Sequence, residues 1–264
     1  MAHHLWGELK ARELSALVDD RTVALLPIGA IEQHGPHLPL NTDAVLAESI
    51  ARDAAALVER ATILRLPCLE IGKSDEHTGF AGMLSFDAAT LQAMLMQIGR
   101  SLQASGIRRL VILNAHGGNV PVLQLVARAL RIELGMFCVT AGWMSMGVPD
   151  GLLPATEAAD GIHGGLVETA AMLHYRPDLV DMAYAKNFTP ASRKVMEDNQ
   201  ILRLAGPVGA GWMMSDLHPE GAAGNAALAT GEIGAQLIGH AVKRYALLLQ
   251  EVADYAIPFA KDAP

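Results

Sequence analysis

The run Gly29-Ala30-Ile31-Glu32-Gln33-His34-Gly35-Pro36-His37-Leu38-Pro39-Leu40-Asn41-Thr42-Asp43 places a glutamate, two histidines and an aspartate within twelve residues, 32–43. Carboxylate oxygens and imidazole nitrogens are the ligands that suit zinc, manganese or iron in hydrolytic sites. In an extended segment Glu32 and His34 project to the same side, because side chains alternate with period two. The interspersed glycines and prolines stop the chain from continuing as strand or helix. Asp43 has a second reading as an ordinary carboxylate at a helix start, and His37 reads as a brace for its neighbours.

A second cluster, Asn114-Ala115-His116-Gly117-Gly118-Asn119, brings one more imidazole. Gly117 and Gly118 let the backbone come close to a ligand and leave amide groups for a developing oxyanion. On its own this is also what a tight glycine turn with a structural histidine looks like. A third, His163-Gly164-Gly165-Leu166-Val167-Glu168-Thr169, puts Glu168 in the first turn of a short helix and His163 just before it. His163 is placed to protonate a leaving nitrogen. The segment Gly72-Lys73-Ser74-Asp75-Glu76-His77-Thr78-Gly79-Phe80 offers Ser74, Glu76 and His77 as substrate contacts, and a plain surface loop is the competing reading.

These loops need elements to hold them. Residues 22–28 read as a buried strand, 62–66 as a second, 109–113 as the clearest of all and 136–141 as a fourth. Apolar residues at helical spacing predict helices over 43–58, 88–104, 119–134, 166–173 and about 225–252, with Asn119 as a cap and Pro121 in a first turn. Strand alternating with helix predicts an α/β chain whose mostly parallel sheet is covered on both faces. Such sheets bind ligands beyond the carboxyl ends of their strands, where the first two clusters fall. Residues 181–224 show no steady period and read as a long ordered excursion, of the kind that forms lids or assembly arms. The whole of 1–264 is read as one domain.

Composition narrows the function classes. With 20 basic against 28 acidic residues, a net charge of -8 and no basic cluster, nucleic acid is not expected as a partner. No stretch reaches about 18 apolar residues without a polar break, so no membrane span is expected. Cys68 and Cys138 read as free thiols, and with no signal-peptide pattern at the start a cytoplasmic location is expected.

The blocks from Glu32 to Asp43, Ser74 to His77 with Gly82, Asn114 to Asn119 and His163 to Thr169 together resemble the creatininase family, in the family's order across most of the chain. The resemblance implies a three-layer α/β/α sandwich and a site for two divalent ions per subunit, zinc or manganese with iron as a further option. It also implies hydrolysis of a C–N bond in a small cyclic amide or related amide, in a homohexamer built as a trimer of dimers. Carried over by position, Glu32 and His116 would bind one ion, His34 the other, and Asp43 would bridge them, with Glu168 as the remaining carboxylate ligand. His163 matches a histidine used near the leaving group, with Glu168 beside it in the catalytic set. Ser74, His77, Gly117 and Gly118 are expected to contact substrate.

Two positions depart from creatininase proper. Gly118 stands where a glutamate handles the catalytic water, and Ala159-Asp160-Gly161 lies where a tryptophan is expected, so Trp143 is the aromatic left to line the substrate. Both departures argue against creatinine itself. Members with the Gly-Gly form include deformylases of pyrimidine intermediates and a peptidase of cofactor maturation. Paired ions would lower the pKa of a water and polarise the carbonyl it attacks. No Gly-x-Ser-x-Gly elbow and no dinucleotide fingerprint compete. A non-catalytic metal- or ligand-binding homologue is the remaining alternative.

Overall fold

The computed structural model describes residues 3–205 and 208–258. In chain order the elements are β1 (His3–Leu5), α1 (Ala11–Leu17), β2 (Val23–Ile28), α2 (Thr42–Ala56), β3 (Ile63–Arg65), α3 (Ala88–Ala104), β4 (Arg109–Asn114), α4 (Val120–Leu134) and β5 (Phe137–Gly142). There follow α5 (Ala155–Asp160), α6 (Leu166–Tyr175), β6 (Asn187–Phe188), α7 (Ala191–Asp198), α8 (Met214–Leu217), β7 (Gly224–Asn225) and α9 (Gly231–Asp254).

A five-stranded sheet runs in the order β1-β3-β2-β4-β5, parallel at every pairing. Alternation along the central strands divides the core in two. Val23 and Leu25 of β2, with Val111 and Leu113 of β4, face one apolar cluster built from α2, α6 and α9. Ala24, Leu26 and Ile28, with Leu110 and Ile112, face the other, built from α3 and α4 with α1 at its margin. Both faces are buried, which is why these strands read as unbroken apolar runs. The result is the expected α/β/α sandwich.

The register fixes where chemistry can sit. Ile28 at the end of β2 pairs with Asn114 at the end of β4, so the loops that follow leave the sheet side by side at its carboxyl edge. Gly29 allows the next step: a Cβ there would lie 2.5 Å from the Ala44 backbone nitrogen. Only a bare α-carbon lets the start of α2, with Asp43, press against the strand end.

Elsewhere the structure adds to or corrects the sequence reading. β1 and α1 are extra, and too short to leave a periodic signal. The excursion over 181–224 contains β6, α7 and α8, and an antiparallel pairing of Phe188 with Gly224 closes it. The last helix begins at Gly231, not near 225, because Thr230 caps it by accepting from the Ile233 N–H at 3.2 Å. Asn119 makes no cap bond to α4. Both cysteines are free, and no helix among the described residues is long and apolar enough to cross a membrane.

Candidate metal centre

Asn119 does something other than capping. Its side-chain amide donates to the carbonyl of Gly29 at 3.0 Å and to the side-chain oxygen of Asn114 at 3.1 Å, while its own oxygen accepts from the Lys73 N–H at 2.8 Å. One buried side chain thereby ties together the loops after β2, β3 and β4. Buried amides with all partners satisfied rigidify a site.

Inside that frame Glu32, His34, Asp43 and His116 converge, each at most 5% exposed. His34 Nε2 lies 3.2 Å from Asp43 Oδ1, and His116 Nδ1 lies 3.3 Å from Asp43 Oδ2 and 3.2 Å from Glu32 Oε1. The two oxygens of Asp43 thus face two different imidazoles. Glu32 Oε1 and Asp43 Oδ2 are buried without a hydrogen-bond partner. An ionised oxygen in that position costs several kcal/mol unless a cation or donor meets it.

The outer ring nitrogens say which inner ones are free. His34 Nδ1 lies 3.2 Å from the Glu32 carbonyl and His116 Nε2 lies 2.9 Å from the Lys73 carbonyl. A carbonyl only accepts, so each imidazole donates outward and leaves its inner nitrogen facing the carboxylates, to hold either a proton or a metal ion. That is how histidine ligands are held in metal sites. His163 follows the same rule, its Nε2 donating to the Gln33 carbonyl at 2.7 Å and its Nδ1 standing 3.6 Å from Glu32 Oε1. Glu168, in the first turn of α6, accepts from the Gly164 N–H at 2.6 Å. Donor atoms of Glu32, His34 and Asp43, of His34, His163 and Glu168, and of Glu32, His77 and His163 form three groups, each within 4.8 Å.

The electrostatics describe a cluster short of positive charge. Burial penalises a charged His34, yet Asp43 opposite it outweighs that cost and lifts its pKa to about 9. His116 is likewise raised against its burial by Glu32 and Asp43. Burial would raise Asp43, but His34 and His116 hold it at about 2. Glu168 moves the other way, pushed to about 7 by burial and by the neighbouring Asp43 and Glu32. His163 is lowered by burial and by His34 and His77. The protons on His34 and His116 do here what a divalent cation does when it is bound. Orphaned carboxylate oxygens and inward-facing ring nitrogens, whose protons a cation can displace, therefore fit metal.

Other expected contacts land differently. Ser74 is wholly buried and donates its hydroxyl to Glu32 Oε2, so it braces a carboxylate and is not exposed to substrate. Trp143 is a correction: it packs in the apolar cluster with Ala115 and Leu166, where the turn after β5 meets α9. Trp212 lines a cavity of about 370 Å³ beside the centre, shared with Lys73, Asp75, Glu76 and Asp216. Gly118 has no room for a side chain, since a Cβ would fall 2.0 Å from Glu76 Oε1. His37 braces α6 through Thr169 Oγ1 at 2.9 Å and stacks on Phe188. Sequence reasoning missed Gln33 and Asn119, whose only signal was their place within the clusters. It also missed Glu157, whose buried carboxylate accepts from Leu166 N–H at 2.8 Å and Asn225 N–H at 2.9 Å, fixing the start of α6. A larger cavity, about 630 Å³, lies away from this chemistry among Trp6, Leu26, Leu66 and Met94.

A parallel α/β/α sandwich with a buried histidine–carboxylate cluster at its carboxyl edge defines a metal-binding hydrolase class. The family model "Creatininase: Creatinine amidohydrolase" matches residues 7–249, and the chain belongs to the creatininase family. It is 38% identical to a mycofactocin precursor peptide peptidase of Mycobacterium ulcerans (strain Agy99), over 70% of this chain and 71% of that one. A creatinine amidohydrolase of Pseudomonas putida is 35% identical over 70% and 77%. A solved structure, "Creatininase Mn", superposes with a TM-score of 0.74 at 27% identity, over 93% and 96% of the two chains. A mutant creatininase of "Zn-Zn type" gives the same TM-score, identity and coverage.

Proposed function

We propose that the protein is a metal-dependent amidohydrolase that cleaves the C–N bond of a small cyclic amide, a formamide or a short peptide. The observation that carries this is Asp43, whose two oxygens stand 3.2 and 3.3 Å from the inward nitrogens of His34 and His116. In this reading Glu32 and His116 would hold one divalent ion and His34 and Glu168 a second, with Asp43 available to both. Bound zinc, manganese or iron would supply Lewis acidity and an acidified water.

The chain's own groups divide the remaining work. Ser74 and Asn119 keep Glu32 and the loops in place. His163 has its Nε2–H committed to the Gln33 carbonyl, so Nδ1 is the atom that takes a proton and returns it to the departing nitrogen. Gly118 admits the Glu76 carboxylate to the edge of His116, at 3.3 Å from Nε2. The open cavity beside Glu76 and Trp212 has room for more than a small ring, which together with the peptidase relative supports a short peptide as the second substrate reading. Membership of the family is also the ground for a cytoplasmic homo-oligomer, as a hexamer, in this proposal.

A hydrolysis screen with manganese or zinc over lactams, formamides, creatinine and short peptides tests the activity, and Glu32→Ala tests the ligand set. We expect turnover of at least one amide class and loss of bound metal in the variant. Every substrate left intact would mark a binding homologue without turnover, and unchanged metal content in Glu32→Ala would remove the ligand assignment.

A further inference from the structure

Of the four imidazoles around Glu32, three have an outer nitrogen on a backbone carbonyl. His77 differs. Its Nδ1 lies 3.0 Å from Gln33 Nε2, and its Nε2 points inward, 3.3 Å from Glu32 Oε1. Which nitrogen of His77 carries the proton depends on which way the Gln33 amide faces.

That direction is fixed by the backbone. Gln33 Oε1 accepts from the Gly35 N–H at 2.8 Å. Turning the amide over would set its NH2 against that N–H, donor against donor. Gln33 Nε2 therefore donates to His77 Nδ1, Nδ1 holds a lone pair, and the proton of the neutral ring is on Nε2. The amide has no slack in which to reorient. It is 7% exposed, and a Cβ at Gly221 would lie 2.1 Å from its oxygen.

We propose that Gln33 is a positioning residue that holds His77 as an Nε2–H donor into the centre, and so keeps His77 out of the metal ligand set. Gln33 also accepts the His163 Nε2–H on its main-chain carbonyl. One residue thereby gives opposite polarity to two imidazoles whose centroids are 4.3 Å apart: His163 presents a lone pair, His77 a proton. Resting on the amidohydrolase reading above, the partner for the His77 donor is the carbonyl oxygen of the substrate, where negative charge develops.

Nitrogen-15 NMR of histidine side chains, in metal-free and zinc-loaded protein, reads this without turnover. We expect His77 as the Nε2–H tautomer in both states. Gln33→Glu, which offers an acceptor to Nδ1, should move the proton to Nδ1. Gln33→Ala, which offers neither, should give a mixture. A His77 Nε2 bound to zinc, or an Nδ1–H tautomer in the unaltered protein, overturns the proposal even if no variant folds. With an amide substrate in hand, Gln33→Glu should lower kcat by about 100-fold at unchanged metal content, the loss expected for one donor to an oxyanion. Unchanged kcat would overturn the proposal and leave the hydrolase reading standing. Absence of turnover in the unaltered protein would sink that reading, and the tautomer then decides the proposal alone.

Discussion

Replacing Gly118 by alanine tests the packing on which His116 depends. An added Cβ would lie 2.0 Å from Glu76 Oε1, 2.5 Å from His116 Nε2 and 2.6 Å from the Lys73 carbonyl oxygen. Non-bonded heavy atoms settle at about 3.5–4.0 Å, so each contact is short by about 1 Å or more. The Glu76 side chain can swing aside. The Lys73 carbonyl cannot, because the Ser74 N–H in its own peptide plane is held by Ser85 Oγ and the Lys73 N–H by Asn119, each at 2.8 Å. Relief must therefore come from the imidazole, which is pushed off the carbonyl that orients it. Overpacking of this kind costs about 1–3 kcal/mol of stability, and disturbing the outer partner of a ligand costs about 10–100-fold in metal affinity. Gly117→Ala is the matched control, since nothing lies within 4 Å of its would-be Cβ. Urea unfolding of the metal-free proteins and chelator competition for zinc would measure both quantities. Gly118→Ala with the stability and affinity of Gly117→Ala would refute the account of His116.

Two further outcomes follow from the same geometry. Metal loading should expel more protons at pH 6 than at pH 8. Glu168, near 7, is protonated only at the lower pH, whereas His34, near 9, is protonated at both. Affinity accordingly weakens toward acid, because protons compete for the ligand atoms. Calorimetry in buffers of different ionisation heat measures the release, and a value independent of pH would contradict it. At the crossing of α6 and α9, a Cβ on Gly234 would meet the Ala170 carbonyl oxygen at 1.9 Å, while Gly239 on the same helix has open space. Gly234→Ala should destabilise by about 1–3 kcal/mol and Gly239→Ala should stabilise by about 0.5–1 kcal/mol; denaturant titrations showing the same sign for both would count against the packing.

How much was legible in the sequence depended on how far each signal extends along the chain. β2 and β4 announced themselves because burial on both faces leaves apolar residues at every position. α2, α3 and α4 did so through spacing over four or more turns. β1, β6, β7 and α8 span two to four residues each and have no period to detect. At the site, ligand-type residues gathered by glycine turns were visible, and Glu32, His34, Asp43, His116, His163 and Glu168 do converge. The groups that hold them were not visible. Nothing in the local pattern says that Asn119 turns from its helix to staple three loops, or that Ser74 is spent on Glu32. Gln33 is the sharpest case. Period-two alternation sends it away from Glu32 and His34, and only the turn at Gly35 and the bare Gly221 show what it reaches. Trp143 followed β5 to the right edge of the sheet but points into the core, a choice that depends on contacts with α9.

The all-parallel sheet also has a consequence for how the molecule comes into being. Parallel neighbours cannot form as hairpins, so each pairing waits for a long intervening segment to collapse into a crossover. The side chains around Asp43 begin at Glu32 and end at Glu168, on loops that meet only once β2 and β4 are in register. The segment 32–43 carries three of the ligand-type side chains, but His116 and Glu168 join them only when β4 and α6 are in place, so no early fragment of the chain holds the whole centre. On the proposed reading, loading of the complete centre would follow folding. The choice of metal would then fall to a finished cage and not to a chain still searching.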